Sequence, residues 1–251
     1  MSSLPGKFVW FEHVSNDIAK ARAFYETLFG WHTETMPMPG GELYSVIHNG
    51  GAGIGGYAKA PAGVPNAWLS YLSVSDVDAS YKSALAAGAK SLMAPMDYGS
   101  AGRAATLADP SGGVFSLWKG AMGDPADTED VPVGGWYWNE LSTQNETAAL
   151  AFYEKVFGFS HDAMPMPQGV YYVLKQGETV RGGLAKAMDA KTPTMWRQYV
   201  KVADCDASAA KAVGLGATSC VPPTDIPGIG RFSMLIDPLG AAIAVMKPAP
   251  R

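Results

Sequence analysis

The feature that most constrains this chain is that it is written twice. Trp10 and Trp138 stand 128 positions apart, and the same spacing pairs Glu12 with Glu140 and Phe24-Tyr25 with Phe152-Tyr153. It also pairs Phe29-Gly30 with Phe157-Gly158, Met36-Pro37-Met38-Pro39 with Met164-Pro165-Met166-Pro167, and Tyr44 with Tyr172. Farther along, Trp68 pairs with Trp196, Tyr71 with Tyr199, Gly102-Arg103 with Gly230-Arg231, and Asp109-Pro110 with Asp237-Pro238. So many pairs at one spacing identify a duplication, and a fold hypothesis has to build one unit two times. The segment 123–132 is acidic, poor in apolar residues and bounded by proline, which reads as a linker. The expected domains are therefore 1–122 and 133–251, joined by 123–132.

Each half contains a weaker repeat. Residues 8–14 alternate as a half-buried strand does, and Asp17 is placed to cap a helix. Ile18, Ala21, Phe24, Tyr25, Leu28 and Phe29 recur at helical spacing, and Gly30 suits a left-handed stop. Three short strands follow near 31–36, 43–48 and 53–58. The unit then restarts with a strand over 68–74 and a helix opened by Asp76 and closed near Gly88. Strands near 90–94, 103–108 and 114–118 complete it. The order is β-α-β-β-β, twice in each half. The glycine pairs Gly55-Gly56 and Gly182-Gly183 sit in strands, where glycine marks a bulge or a close backbone approach.

The chain has 251 residues, enough for two domains, with 19 basic and 23 acidic side chains and a net charge of −4. That balance gives no support to binding nucleic acid or an anionic membrane. No stretch approaches the roughly 18 apolar residues of a membrane span, and the start does not read as a signal peptide. The expectation is a soluble cytoplasmic protein, with monomer favoured over homodimer because the duplication can supply its own pairing. Cys205 and Cys220 lack zinc spacing and read as buried or idle thiols. No phosphate loop, nucleophile elbow or dinucleotide fingerprint is present.

The strand-helix opening with Asp17, Phe24-Tyr25 and Gly30, together with the closing turns Asp109-Pro110-Ser111-Gly112 and Asp237-Pro238-Leu239-Gly240, resembles the vicinal oxygen chelate superfamily. Glyoxalase I, bleomycin-resistance proteins and extradiol dioxygenases belong to it. The resemblance covers both halves. It implies an α+β fold of two tandem glyoxalase-like domains, each with two βαβββ modules forming a curved eight-stranded cup that holds the ligand. Metal-dependent members bind their ion through His, Glu or Gln on the first, fifth and eighth strands. Carried over by the motif anchors, those places hold Trp10, Leu69 and Ser116 in the first half and Trp138, Arg197 and Ala244 in the second.

None of these is an ordinary metal ligand, so no metal and no cofactor are expected in the cups. Trp10 and Glu12 share a strand face, as do Trp138 and Glu140. The reading is a glyoxalase- or bleomycin-resistance-like protein that binds a small molecule in cups lined by Trp10, Tyr44, Tyr71, Trp138, Tyr172 and Tyr199. Glu12, Glu140, Arg103 and Arg231 would orient the ligand, or the arginines would pair with the glutamates. The alternative is a metal-dependent lyase, dioxygenase or hydroxylase of the same superfamily with a displaced site. A purely structural role is the third reading. His13 falls on the face opposite Trp10 and reads as packing. His32, His48 and His161 have no partner at the 128 spacing and read as ordinary histidines, with a site using Glu12 and His48 as the minor alternative.

Overall fold

The computed structural model describes residues 3–38, 43–166 and 169–250. The last prolines of the repeated M-P-M-P stretch, Pro39 and Pro167, lie outside them. The first half runs β1 (Phe8–Ser15), α1 (Ile18–Phe29), β2 (His32–Pro37), β3 (Leu43–Asn49), β4 (Ala52–Lys59), β5 (Ala67–Ser73), α2 (Val77–Ala86), β6 (Lys90–Asp97), β7 (Gly102–Ala108) and β8 (Val114–Gly120). The second half repeats it as β9 (Trp136–Thr143), α3 (Glu146–Phe157), β10 (Ser160–Met166), β11 (Gly169–Gln176), β12 (Thr179–Lys186), β13 (Met195–Lys201), α4 (Cys205–Gly214), β14 (Thr218–Ile226), β15 (Gly230–Ile236) and β16 (Ala242–Pro248).

The helix ends have local causes. Asp17, Asn145, Asp76 and Asp204 each accept a hydrogen bond from a backbone N–H in the first turn of their helix. Such a cap contributes about 1 kcal/mol. Gly30 and Gly158 close α1 and α3 at φ of 73° and 69°, a conformation that disfavours any other residue.

Each half supplies one eight-stranded mixed sheet, in the orders β2-β3-β4-β1-β5-β8-β7-β6 and β10-β11-β12-β9-β13-β16-β15-β14. The outer strands of each module pair antiparallel, whereas β1 pairs parallel with β4 and β5 with β8. This is the expected tandem α+β architecture. By packing, the chain also divides into two compact units that cut across the halves. The first unit is Met1–Trp10, Leu69–Asp127 and Asn139–Trp196, and the second is Phe11–Trp68, Thr128–Trp138 and Arg197–Arg251. Each unit thus combines a module of one half with a module of the other.

The core of the second unit is rich in tryptophan. Trp31 and Trp68 lie 5.2 Å and 5.0 Å from Trp136, ring centre to ring centre. The repeat-equivalent residues in the first unit are Phe159, Trp196 and Phe8, with Phe8 and Trp196 at 4.7 Å. The acidic segment 123–132 is not a bare tether. In the first unit, Lys7 donates to the carbonyls of Pro125 and Ala126, and both Lys7 and Arg181 pair with Asp127. Arg181 and Lys7 hold the Asp127 carboxyl below its usual range. Both cysteines are free, and burial pushes the Cys205 thiol up to about 11.

Candidate functional site

Several of the sequence-predicted residues fall into two kinds of cluster, each present in both units. The first is built on a strand face where aromatic and sulfur-bearing side chains gather. In the second unit Tyr199, Ala244 and Met246 are buried together, with Tyr137, Trp138, Phe232 and Met234 packed against them. Strand register explains the gathering, because Tyr199 on β13 stands opposite Ala244 on β16 and Ala244 stands opposite Met234 on β15. In the first unit the same face holds Tyr71 opposite Ser116 and Ser116 opposite Thr106. Tyr71 meets Trp118 edge-on at 6.0 Å, and the Thr106 and Ser116 hydroxyls are hydrogen bonded at 2.8 Å. So one face ends in methionine and alanine where its duplicate carries two hydroxyls.

This register refines the ligand positions carried over from the family. The fifth-strand residues beside Ser116 and Ala244 are Tyr71 and Tyr199, two residues beyond Leu69 and Arg197 on the same strand face. No imidazole or carboxylate stands among Trp10, Leu69, Tyr71, Ser116, Trp138, Arg197, Tyr199 and Ala244. Among the described residues, no group of three or more His, Cys, Asp and Glu is arranged to hold a metal ion.

The second cluster pairs a glutamate with a tyrosine. In the second unit the Tyr44 hydroxyl donates to Glu12 Oε1 at 2.7 Å. Tyr44 crosses over Gly56, where an added Cβ would run into its hydroxyl, so a larger residue there would have to push the tyrosine aside. Glu12 stands opposite Gly56, and Gly56 opposite Val46, which puts Glu12, Val46 and Tyr44 on one face.

In the first unit the sequence equates Tyr172 with Tyr44, and the register corrects it. Tyr44 stands opposite Met36, and the residue opposite Met164 is Tyr171. The cause is the turn: Pro37 pairs with Leu43, but Pro165 pairs with Val170, so the second turn is one residue shorter. A one-residue slip changes the face. Tyr171 therefore shares a face with Glu140 and Val173, and Tyr172 takes the other face, edge-on to His161 at 5.2 Å.

The arginines are also corrected. Arg103 does not pair with a glutamate. Its Nε and Nη2 donate to Asp78 at 2.7 and 2.9 Å, and its Nη1 lies 2.9 Å from Asp97. Arg231 does the same with Asp206 and Asp225. These forked contacts tie the first turn of α2 to β6 and β7, and the first turn of α4 to β14 and β15. The two hydrogen-bonded carboxylates push each guanidinium pKa upward.

His13 lies on the face opposite Trp10 and Glu12, fully buried, with Nε2 donating to Asp237 at 2.9 Å. A cleft of about 260 Å³ opens elsewhere in the second unit, between the end of α1 and the start of α4, and none of the expected ligand-binding residues lines it.

The family profile described as "Glyoxalase/Bleomycin resistance protein/Dioxygenase superfamily" matches residues 7–117. The protein named "Putative glyoxylase CFP32" of Mycobacterium bovis is 38% identical over 248 residues, 96% of this chain and 95% of that relative. "Anthracycline biosynthesis protein DnrV" of Streptomyces peucetius is 31% identical over 259 residues, 97% of this chain and 94% of its own. Among solved structures, the Mn(II)-bound glyoxalase of Novosphingobium aromaticivorans superposes with a TM-score of 0.65 at 17% identity, covering 96% of this chain and 81% of that one. The 2,2',3-trihydroxybiphenyl 1,2-dioxygenase of Sphingomonas wittichii gives 0.65 at 15% identity, covering 98% and 91%. No helix among the described residues is long and apolar enough to cross a membrane.

Proposed function

Because the chain belongs to the glyoxalase/bleomycin resistance protein/dioxygenase superfamily, we propose that it binds a planar, largely apolar small molecule without a metal at the family's usual place. The observation that carries this reading is the face formed by Trp138, Tyr199, Phe232, Met234 and Met246. It lies where the family resemblance would put an imidazole or carboxylate ligand. Flat rings and polarisable sulfur suit a flat apolar ligand, and small-molecule sites are mostly apolar with a few placed polar groups. Trp and Ala do not suit a divalent cation, which needs nitrogen, oxygen or thiolate donors. Glu12 with Tyr44, and Glu140 with Tyr171, would supply the placed polar groups. The relative named for anthracycline biosynthesis supports a polycyclic aromatic ligand class. The arginines leave the ligand-orienting set, because their donors are engaged elsewhere.

The test is quenching of tryptophan fluorescence by a hydroxylated anthraquinone, with and without a chelator. Binding should be indifferent to the chelator. Trp138→Ala should weaken it by roughly tenfold or more, the loss expected when an aromatic anchor is truncated. Quenching that requires added Mn, Fe, Ni or Zn would sink the metal-free reading and favour the lyase, dioxygenase or hydroxylase alternative.

A further inference from the structure

A different cluster stands at the edge of the first sheet, wholly within the second unit. His32 on β2 stands directly opposite His48 on β3, and their rings stack with centres 5.0 Å apart and planes 24° from parallel. Glu34, two residues beyond His32, projects from the same face. Its Oε1 lies 3.6 Å from His32 Nε2 and its Oε2 lies 3.7 Å from His48 Nε2. Those distances are too long for hydrogen bonds. They are close to the separation of two donors across one metal ion, about 3.4 Å for bonds of roughly 2.1 Å at a tetrahedral angle. His48 Nε2 is buried and makes no hydrogen bond. A buried imidazole nitrogen without a partner is costly unless something occupies it.

The duplication provides a control. In the second half the same three places are Ser160, Lys175 and Asp162, with Ser160 opposite Lys175. There Lys175 closes an ordinary 2.8 Å ion pair on Asp162. Sheet-edge charge balance alone is thus satisfied by one lysine and one carboxylate. Two imidazoles around a carboxylate are a different solution, and a poor one for charge balance, since two protonated imidazoles in cross-strand positions would repel.

We propose that His32, His48 and Glu34 form a binding site for a divalent first-row transition metal such as Zn²⁺, distinct from the proposed ligand face. Two imidazoles and a carboxylate are a donor set that such ions take, with water completing the shell at this partly open edge. In the structure the three groups stop short of a coordinating arrangement. Closing it takes rotation of His32 and Glu34, whose side chains are 53% and 62% exposed and therefore free to turn, against the more enclosed His48. The site sits on the same sheet face as Glu12 and Tyr44. The row Glu12, Gly56, Val46 and Glu34 spans three strand spacings, about 14 Å at 4.8 Å each. A bound ion would stand at the rim of that face and away from Glu12.

The experiment is calorimetric titration of Zn²⁺ into the full chain, stripped with chelator and desalted. One site per chain is expected. His32→Ala and His48→Ala should each weaken it by more than about 100-fold, beyond the loss that removing an outer-shell partner brings. Glu34→Gln, which keeps size and edge packing, should weaken it as well. Thermal melting without metal checks that the variants fold. Absence of binding by the wild-type chain, or binding unchanged in the His32→Ala/His48→Ala double variant, overturns the site. Glu34→Gln binding as tightly as wild type overturns the three-ligand assignment. None of these outcomes bears on anthraquinone quenching, so the two proposals fail separately.

Discussion

At position 13 the second unit has an imidazole, and at the repeat-equivalent position 141 the first unit has a leucine. A tryptophan–tyrosine–aspartate chain of hydrogen bonds beside them is shared. In the second unit Trp68 Nε1 donates to the Tyr25 hydroxyl, which donates to Asp237. In the first, Trp196 Nε1 donates to the Tyr153 hydroxyl, which donates to Asp109. Burial first, and then the neighbouring aspartate, pushes both tyrosine hydroxyls well above their usual pKa, so they act as neutral donors. Each aspartate also caps its own turn: Asp109 accepts from the N–H of Ser111 and Gly113, and Asp237 from those of Leu239 and Ala241. The difference is the remaining donor. Asp109 receives the Ser111 hydroxyl at 2.6 Å, whereas Asp237 faces Leu239 in that place and receives His13 instead. A buried carboxylate has to be satisfied, and the two copies satisfy it with different side chains from different directions.

The largest expected effect breaks that comparison directly. His13→Leu copies the residue of the first unit without copying its serine. It should destabilise the protein by about 3 kcal/mol, because it strips a buried carboxylate of its opposing group. Adding Leu239→Ser should recover part of the loss by restoring the donor that Asp109 uses. Urea unfolding measures both. A loss below about 1 kcal/mol for His13→Leu would mean the imidazole is incidental to Asp237.

A second effect sharpens the comparison through pH. Burial pushes the Asp237 pKa up, but His13, first among the opposing influences, together with the backbone N–H groups of Ala241 and Leu239, outweighs it, and the net value is lowered. A carboxylate with a lowered folded pKa adds stability that is complete above its unfolded value of about 3.9 and is lost as pH falls through the folded value. Stability measured from pH 6 downward should therefore include a loss that begins near pH 4 and shrinks in His13→Leu. Parallel pH profiles for the variant and the wild type would show that His13 does not set this carboxylate.

Much of the fold was readable because it rests on local rules. Caps at Asp17 and Asp76, the stop at Gly30 and the two periodicities place the elements within a few residues. What failed was whatever needed pairing across the chain. A constant spacing of 128 could not reveal a turn shorter by one residue, so Tyr172 was aligned where Tyr171 belongs. His32 and His48 looked unrelated because nothing in their spacing announces that they face each other across a hairpin. The arginine partners were missed for a different reason. Asp78 with Asp206, and Asp97 with Asp225, repeat at the same spacing as Arg103 with Arg231. That co-repetition is the signal in the sequence that identifies the partners.

Those arginines give the smallest expected effect, and it tests whether the two copies behave alike where their contacts do. Arg103 and Arg231 make the same three contacts, each to an aspartate in the first turn of a helix and another on the neighbouring strand. All of these side chains are substantially exposed, so water and salt screen the attraction. Arg103→Gln and Arg231→Gln should each lower the melting temperature slightly and by similar amounts, with the difference from wild type shrinking as salt is raised. Neither should change anthraquinone quenching, because the guanidinium donors already point at aspartates. A clear loss of quenching in one variant alone would return that arginine to the ligand and show that the duplicated clamps have diverged in use. A loss in both would mean the aspartates release their arginines when ligand arrives.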